Sequence, residues 1–138
     1  MTVNKKLAIF DLDHTILKCN SDHSWLDYLI NKGFIKREEY FEQNAEFQKK
    51  FREGNVNYKD YYEFTIQYLK DNSDDYISDI RSDFMKEIIE PSINIYALRL
   101  IHKHYEKDEE LLLASGTTSI IAGPIAKRLE FKLSLIHI

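Results

Sequence analysis

Two short apolar runs, each ending on a polar residue, constrain this chain more than any other feature. Leu7-Ala8-Ile9-Phe10 stops at Asp11, and Leu111-Leu112-Leu113-Ala114 stops at Ser115-Gly116. Apolar stretches of this length without polar alternation are the pattern of strands buried on both faces of a parallel sheet. Parallel strands need a crossover between them, and in open α/β sheets ligands bind beyond the carboxyl ends of the strands. The runs therefore predict an α/β fold in which Asp11, Ser115 and Gly116 face one site.

The sequence between the runs has a helical period and is rich in rings: 14 of the 18 aromatic residues fall from Trp25 to Phe84. Tyr40, Phe41, Asn44, Phe47 and Phe51 recur at helical spacing until Gly54-Asn55 breaks the run. Tyr58, Tyr61, Tyr62, Thr65, Tyr68 and Leu69 form a second set, and Tyr76, Ile77, Ile80, Phe84 and Ile88 a third, opened by Ser73 as a cap. Helical hairpins packed on an aromatic core follow, with Trp25 and the rings around Tyr61 at its centre and Pro91 at its end. Ring stacking on nucleic-acid bases would need basic residues on the same face. The local charge is mixed, and 19 Lys+Arg against 23 Asp+Glu leave a net charge of −4, so nucleic acid is not an expected partner.

From Ser92 to His104 a further amphipathic helix is expected, with His102 and His104 on its surface and the charged stretch Glu106 to Glu110 as a solvated turn. Thr117, Thr118 and Ser119 offer cap hydroxyls to the helix after the second run. Pro124 moves the expected start of that helix toward Gly123. No apolar run approaches the roughly 20 residues of a membrane span, and Leu7 to Phe10 is too short for a signal-peptide core. A cytoplasmic protein without membrane contact is the expectation, with Cys19 as a reduced, incidental thiol.

Chemistry concentrates in Asp11-Leu12-Asp13-His14-Thr15. Of two carboxylates at i and i+2 on a tight loop, one can attack phosphorus while the other gives a proton to the leaving oxygen and later takes one from water. Carboxylate and phosphate repel each other, so Mg²⁺ held by hard oxygens is the implied cofactor. Lys127, on the helix after the second run, reads as a solvated surface residue.

Asp11-Leu12-Asp13-His14-Thr15 resembles motif I of the haloacid dehalogenase superfamily, D-x-D-x-T. Leu111 to Gly116 is similar to its motif II, a hydrophobic strand ending in Ser or Thr, and the "IAGPIAKRL" that follows is similar to the next helix of the phosphoserine-phosphatase-like members. The separation of 104 positions from Asp11 to Ser115 matches a helical cap of the C1 type inserted between the two motifs. The resemblance implies a Rossmann-like core over 1–18 and 91–138 with a cap over 19–90. It implies Asp11 as nucleophile and Asp13 as general acid/base, both at a Mg²⁺ site to which Asp13 lends its backbone carbonyl. It makes Ser115 and Gly116 the phosphate-binding residues. "SDHSW" at Ser21 to Trp25 points to the subfamily called IB, whose members are described as phosphatases of phosphoserine or histidinol phosphate, so a small phosphorylated metabolite is the implied partner. Relatives that act on phosphoserine carry a Glu nine residues after the nucleophile, where this chain has Asn20; Asp22 is near enough in sequence to take its part toward a substrate ammonium.

The resemblance also implies a lysine and a pair of metal-binding acids well downstream of Ser115, and neither motif occurs in the 23 residues that follow it. The chain is therefore expected to be the N-terminal part of such a core, C-terminally truncated, to bind Mg²⁺ weakly and to hydrolyse phosphate esters poorly. Lys132 to Ile138 resembles neither the family's next strand nor a surface tail and is read as an interrupted reading frame, the other reading being a short terminal strand from Leu133 to Ile138. A different class of function, a non-catalytic binding protein that keeps the Asp pair as a relic, stands as the alternative.

Overall fold

The computed structural model describes residues 4–67 and 73–135. In chain order these form β1 (Leu7–Asp11), a five-residue turn (Leu12–Ile16), α1 (Ser21–Asn31), α2 (Arg37–Arg52), α3 (Tyr58–Ile66) and α4 (Asp74–Phe84). The last of these continues through a π turn, Met85–Ile89, into the single turn α5 (Glu90–Ser92). Then come α6 (Ile95–Glu106), β2 (Glu110–Ser115), α7 (Ser119–Arg128) and β3 (Lys132–Leu135). Tyr68 and Leu69 of the second aromatic set, and residues 136–138, lie outside the described residues. No described helix is long and apolar enough to cross a membrane. The chain divides into two compact units, 1–25 with 81–138, and 26–80.

The first unit is α/β, as the two apolar runs predict. The strands pair in parallel in the order β1-β2-β3. Asp11 stands opposite Ala114, and Ser115 opposite Leu135, so the carboxyl ends of β1 and β2 lie side by side. Lys132–Leu135 is a third parallel strand, which matches the other reading of that segment, a short terminal strand. Leu12, Ile16, Leu17, Phe84, Ile89, Leu113, Ile121 and Ile125 are all but sealed from solvent, and Trp25 packs edge-on against Phe84, with ring centroids 5.1 Å apart.

One expectation for β1 fails. Leu7 is 53% exposed and Ile9 60%, so the strand is not buried on both faces. Among the described residues β1 is a sheet edge, pairing only with β2, and its opposite face carries the packing: Phe10 meets His104 and Phe131 edge-on. His104 is correspondingly not a plain surface residue, since its ring Nδ1 pairs with Glu109. That bond holds the Glu109 carboxyl below its ordinary range. The stretch Glu106 to Glu110 is therefore a turn at Asp108 (φ +56°) in which His104 ties Glu109 and Lys5 pairs with Asp108, not a uniformly solvated run.

Pro124 sits inside α7, which starts at Ser119 and not near Gly123. A proline at this position leaves the carbonyl four residues earlier without its helical donor. Here Arg81 Nη1 donates to the Ile120 carbonyl at 3.3 Å, which supplies the missing partner and lets the helix run through.

The second unit, 26–80, is built on rings at helical spacing. Tyr40 and Phe64, both buried, stack with centroids 5.7 Å apart, and Phe47 lies 4.9 Å from Phe64 at a tilt. Phe51 meets Tyr61 edge-on at 5.1 Å. α2 ends where Gly54 turns left-handed (φ +69°). Its N–H reaches the Phe51 carbonyl and the Asn55 N–H reaches the Lys50 carbonyl, satisfying two orphan acceptors of the last turn. Asn57 caps α3 by accepting from the Lys59 and Asp60 N–H groups, and Ser73 accepts from Tyr76 N–H at the start of α4, as the sequence predicts.

Candidate functional site

Asp11 is the last residue of β1 and its side chain is exposed. Its Oδ2 accepts from Thr15 Oγ1 at 3.2 Å. Beyond it the chain turns sharply: His14 adopts a left-handed conformation (φ +55°, ψ +18°), which costs a residue with a Cβ roughly 1–2 kcal/mol. Two backbone bonds hold the turn against that cost, His14 N–H to the Cys19 carbonyl (3.2 Å) and Leu17 N–H to the Leu12 carbonyl (3.0 Å). A short antiparallel bridge fastens its far side: Lys18 N–H donates to the Ser92 carbonyl and Asn94 N–H to the Ile16 carbonyl, each at 2.8 Å.

Asp13 lies on this turn in different surroundings. Its Oδ1 accepts from Ser21 N–H at 2.7 Å and Ser21 Oγ at 2.6 Å, and its Oδ2 accepts from Thr117 Oγ1 at 2.8 Å. The Ser21 N–H is one of the unpaired donors at the N-terminus of α1, where the helix dipole favours a carboxylate. Ser21 and Thr117 are buried, and their hydroxyl oxygens lie 2.9 Å apart. Two segments 96 residues apart thus close on a single carboxylate.

Ser115 ends β2 and is buried, with its Oγ accepting from Thr117 N–H at 3.1 Å; Gly116 beside it is exposed. Asn20 caps α1 by accepting from His23 N–H at 3.0 Å. Asp22 faces the start of α7, where it accepts from Thr118 Oγ1 at 3.0 Å and Thr118 N–H at 3.4 Å. Burial pushes the Asp22 carboxyl above its ordinary range, against the lowering effect of the Thr118 bonds; the nearby Asp13 charge adds to the rise. The hydroxyls expected to cap α7 are therefore used otherwise: Thr118 makes no side-chain cap bond to that helix, and Thr117 and Thr118 donate to Asp13 and Asp22.

Residues 8–135 match the sequence model of the haloacid dehalogenase-like hydrolases. The chain belongs to that family. It is 33% identical over 121 residues to a histidinol-phosphatase of Neisseria meningitidis serogroup C (strain 8013), a match covering 88% of this chain and 54% of the relative. Its fold is similar to that of a Bordetella pertussis Tohama I protein of unknown function, with a TM-score of 0.83 and 27% identity over 97% of this chain and 60% of that one. A phosphoserine phosphatase solved as a phospho-aspartyl intermediate analogue shares the fold at a TM-score of 0.57 and 20% identity, over 95% of this chain and 55% of that one. The chain thus spans a little over half the length of the relatives it matches.

Asp11 and Ser115 end the neighbouring strands β1 and β2, with Gly116 directly after Ser115, and Asp13 reaches Asn20's neighbour Ser21 across the turn. Asn20 and Asp22 are each engaged within the protein. Two residues went unrecognised in the sequence as site residues, Ser21 and Thr117. A hydroxyl at the first position of a helix and another just after a motif-II strand were visible, but their shared acceptor depends on the tertiary fold.

Proposed function

We propose that this chain carries the nucleophile and the acid/base group of a phosphomonoester hydrolase that acts on a small phosphorylated metabolite of the cytoplasm, histidinol phosphate or phosphoserine in type. What supports this most is the contrast between two carboxylates of one turn: Asp11 exposed at a strand end, Asp13 held on both oxygens. An Asp11 oxygen attacks phosphorus as the ester P–O bond breaks, and Asp13 gives its proton to the leaving oxygen. Water then attacks the phosphorus of the aspartyl phosphate and loses a proton to Asp13; inorganic phosphate departs and the Asp11 carboxylate returns. The exposed Gly116 offers its N–H to the phosphate oxygens. Ser115, already an acceptor for Thr117 N–H, still has a hydroxyl proton to donate.

A hard divalent ion fits this donor set. The Asp11 carboxylate is exposed, and Mg²⁺ keeps several of its waters and binds through one or two carboxylates. Asp11 and the Asp13 backbone carbonyl would hold it. When bound it offsets the repulsion between Asp11 and the phosphate. The helical segment 19–90 corresponds to the family's cap, and the amide NH₂ of Asn20 is left to hydrogen-bond the organic part of the substrate.

The test is hydrolysis of p-nitrophenyl phosphate with Mg²⁺ by the chain and by Asp11→Asn. Turnover by the chain, slow as two described ligands imply and absent in the variant, is expected. Equal turnover by both would remove Asp11 from the reaction.

A further inference from the structure

The hydrogen bonds around Asp13 distinguish its two oxygens. Oδ1 takes two donors, the Ser21 N–H at 2.7 Å and Ser21 Oγ at 2.6 Å, which fills its in-plane acceptor positions; Oδ2 takes one, Thr117 Oγ1 at 2.8 Å, and keeps a position open. We propose that Ser21 and Thr117 are positioning residues that fix the Asp13 side chain and present Oδ2 as the atom exchanging the proton with the substrate. This rests on the phosphatase reading of the site and adds to it two residues and the identity of the working oxygen.

Burial is what makes the pair effective. Ser21 is 0% exposed and Thr117 3%, so water does not replace either hydroxyl, and an acid/base group must be held in line with the proton it transfers.

Two readouts test this on the chain, on Thr117→Val, which keeps the shape and removes the hydroxyl, on Ser21→Ala, and on Thr117→Ser, which restores the hydroxyl. The first needs no turnover: three-bond couplings to the Asp13 carboxyl carbon by NMR report its χ1. A single rotamer in the chain and in Thr117→Ser, with averaging in Thr117→Val and Ser21→Ala, is expected. Averaging in the chain itself, or one rotamer in all four proteins, would overturn the proposal. The second compares leaving groups. An alkyl phosphate needs protonation of its departing oxygen far more than p-nitrophenyl phosphate does, so Thr117→Val should lose about 10²-fold in kcat on the alkyl ester, with KM unchanged, and much less on the aryl ester. An equal loss on both would mark a merely structural role. The couplings keep their meaning if Asp11 proves not to be the nucleophile, so failure of the clamp and failure of the phosphatase reading are separable.

Discussion

Asp11, Asp13 and Asp22 are three carboxylates of one neighbourhood with three environments: solvent, a buried pair of hydroxyls, and the start of α7. Asp22 carries a measurable sign. Its carboxyl is pushed above 3.8 chiefly by burial, so the folded state holds the proton more tightly than the unfolded chain does. Its contribution to stability is full below the unfolded value and is lost as pH rises through the raised one. Asp22→Asn removes that dependence while keeping an acceptor for Thr118. Thermal unfolding of the two proteins should show the wild type gaining on the variant as pH is lowered from 7 toward 4; a constant difference, or the opposite trend, would mean that Asp22 is not desolvated. At this scale Asp11 and Asp13 were legible because an apolar run that stops on an acid exposes it at a strand end. Ser21 and Thr117 were not, since a hydroxyl takes whichever acceptor the tertiary fold brings near.

Local signals carried the elements well where the cause is local. Ser73 caps α4 and Gly54 closes α2 because each needs only its neighbours in sequence. Pro124 misled for the complementary reason: the donor that compensates it, Arg81, lies 39 residues from the carbonyl it serves. β1 misled because an apolar run reports what a strand is suited to face, not what packs on it. Among the rings of 26–80, period alone ranked Phe47 with the core, whereas the structure puts Phe64 and Tyr40 at the centre and leaves Phe47 half-buried. Phe64→Ala should therefore cost about 3–5 kcal/mol in urea unfolding and Phe47→Ala visibly less. The reverse ranking would show that the stack of Tyr40 on Phe64 is not the centre of that unit.

At the scale of the whole molecule, the α/β class, the parallel pairing of the two runs and their convergence on one end of the sheet were all readable, since they follow from where apolar stretches stop. The third strand was readable only as one of two alternatives, because Lys132–Leu135 is short and mixed in character and is fixed by pairing with β2. The proposed reaction rests on Asp11 as the nucleophile that forms a covalent intermediate. The direct measurement is to mix the chain with Mg²⁺ and p-nitrophenyl phosphate, quench in acid within the first turnover, digest, and locate phosphate by mass spectrometry. A phosphoryl group on Asp11, absent from Asp11→Asn and removed by hydroxylamine as an acyl phosphate is, is the predicted result. Phosphate on another residue, or none in a chain that turns the ester over, would contradict the account.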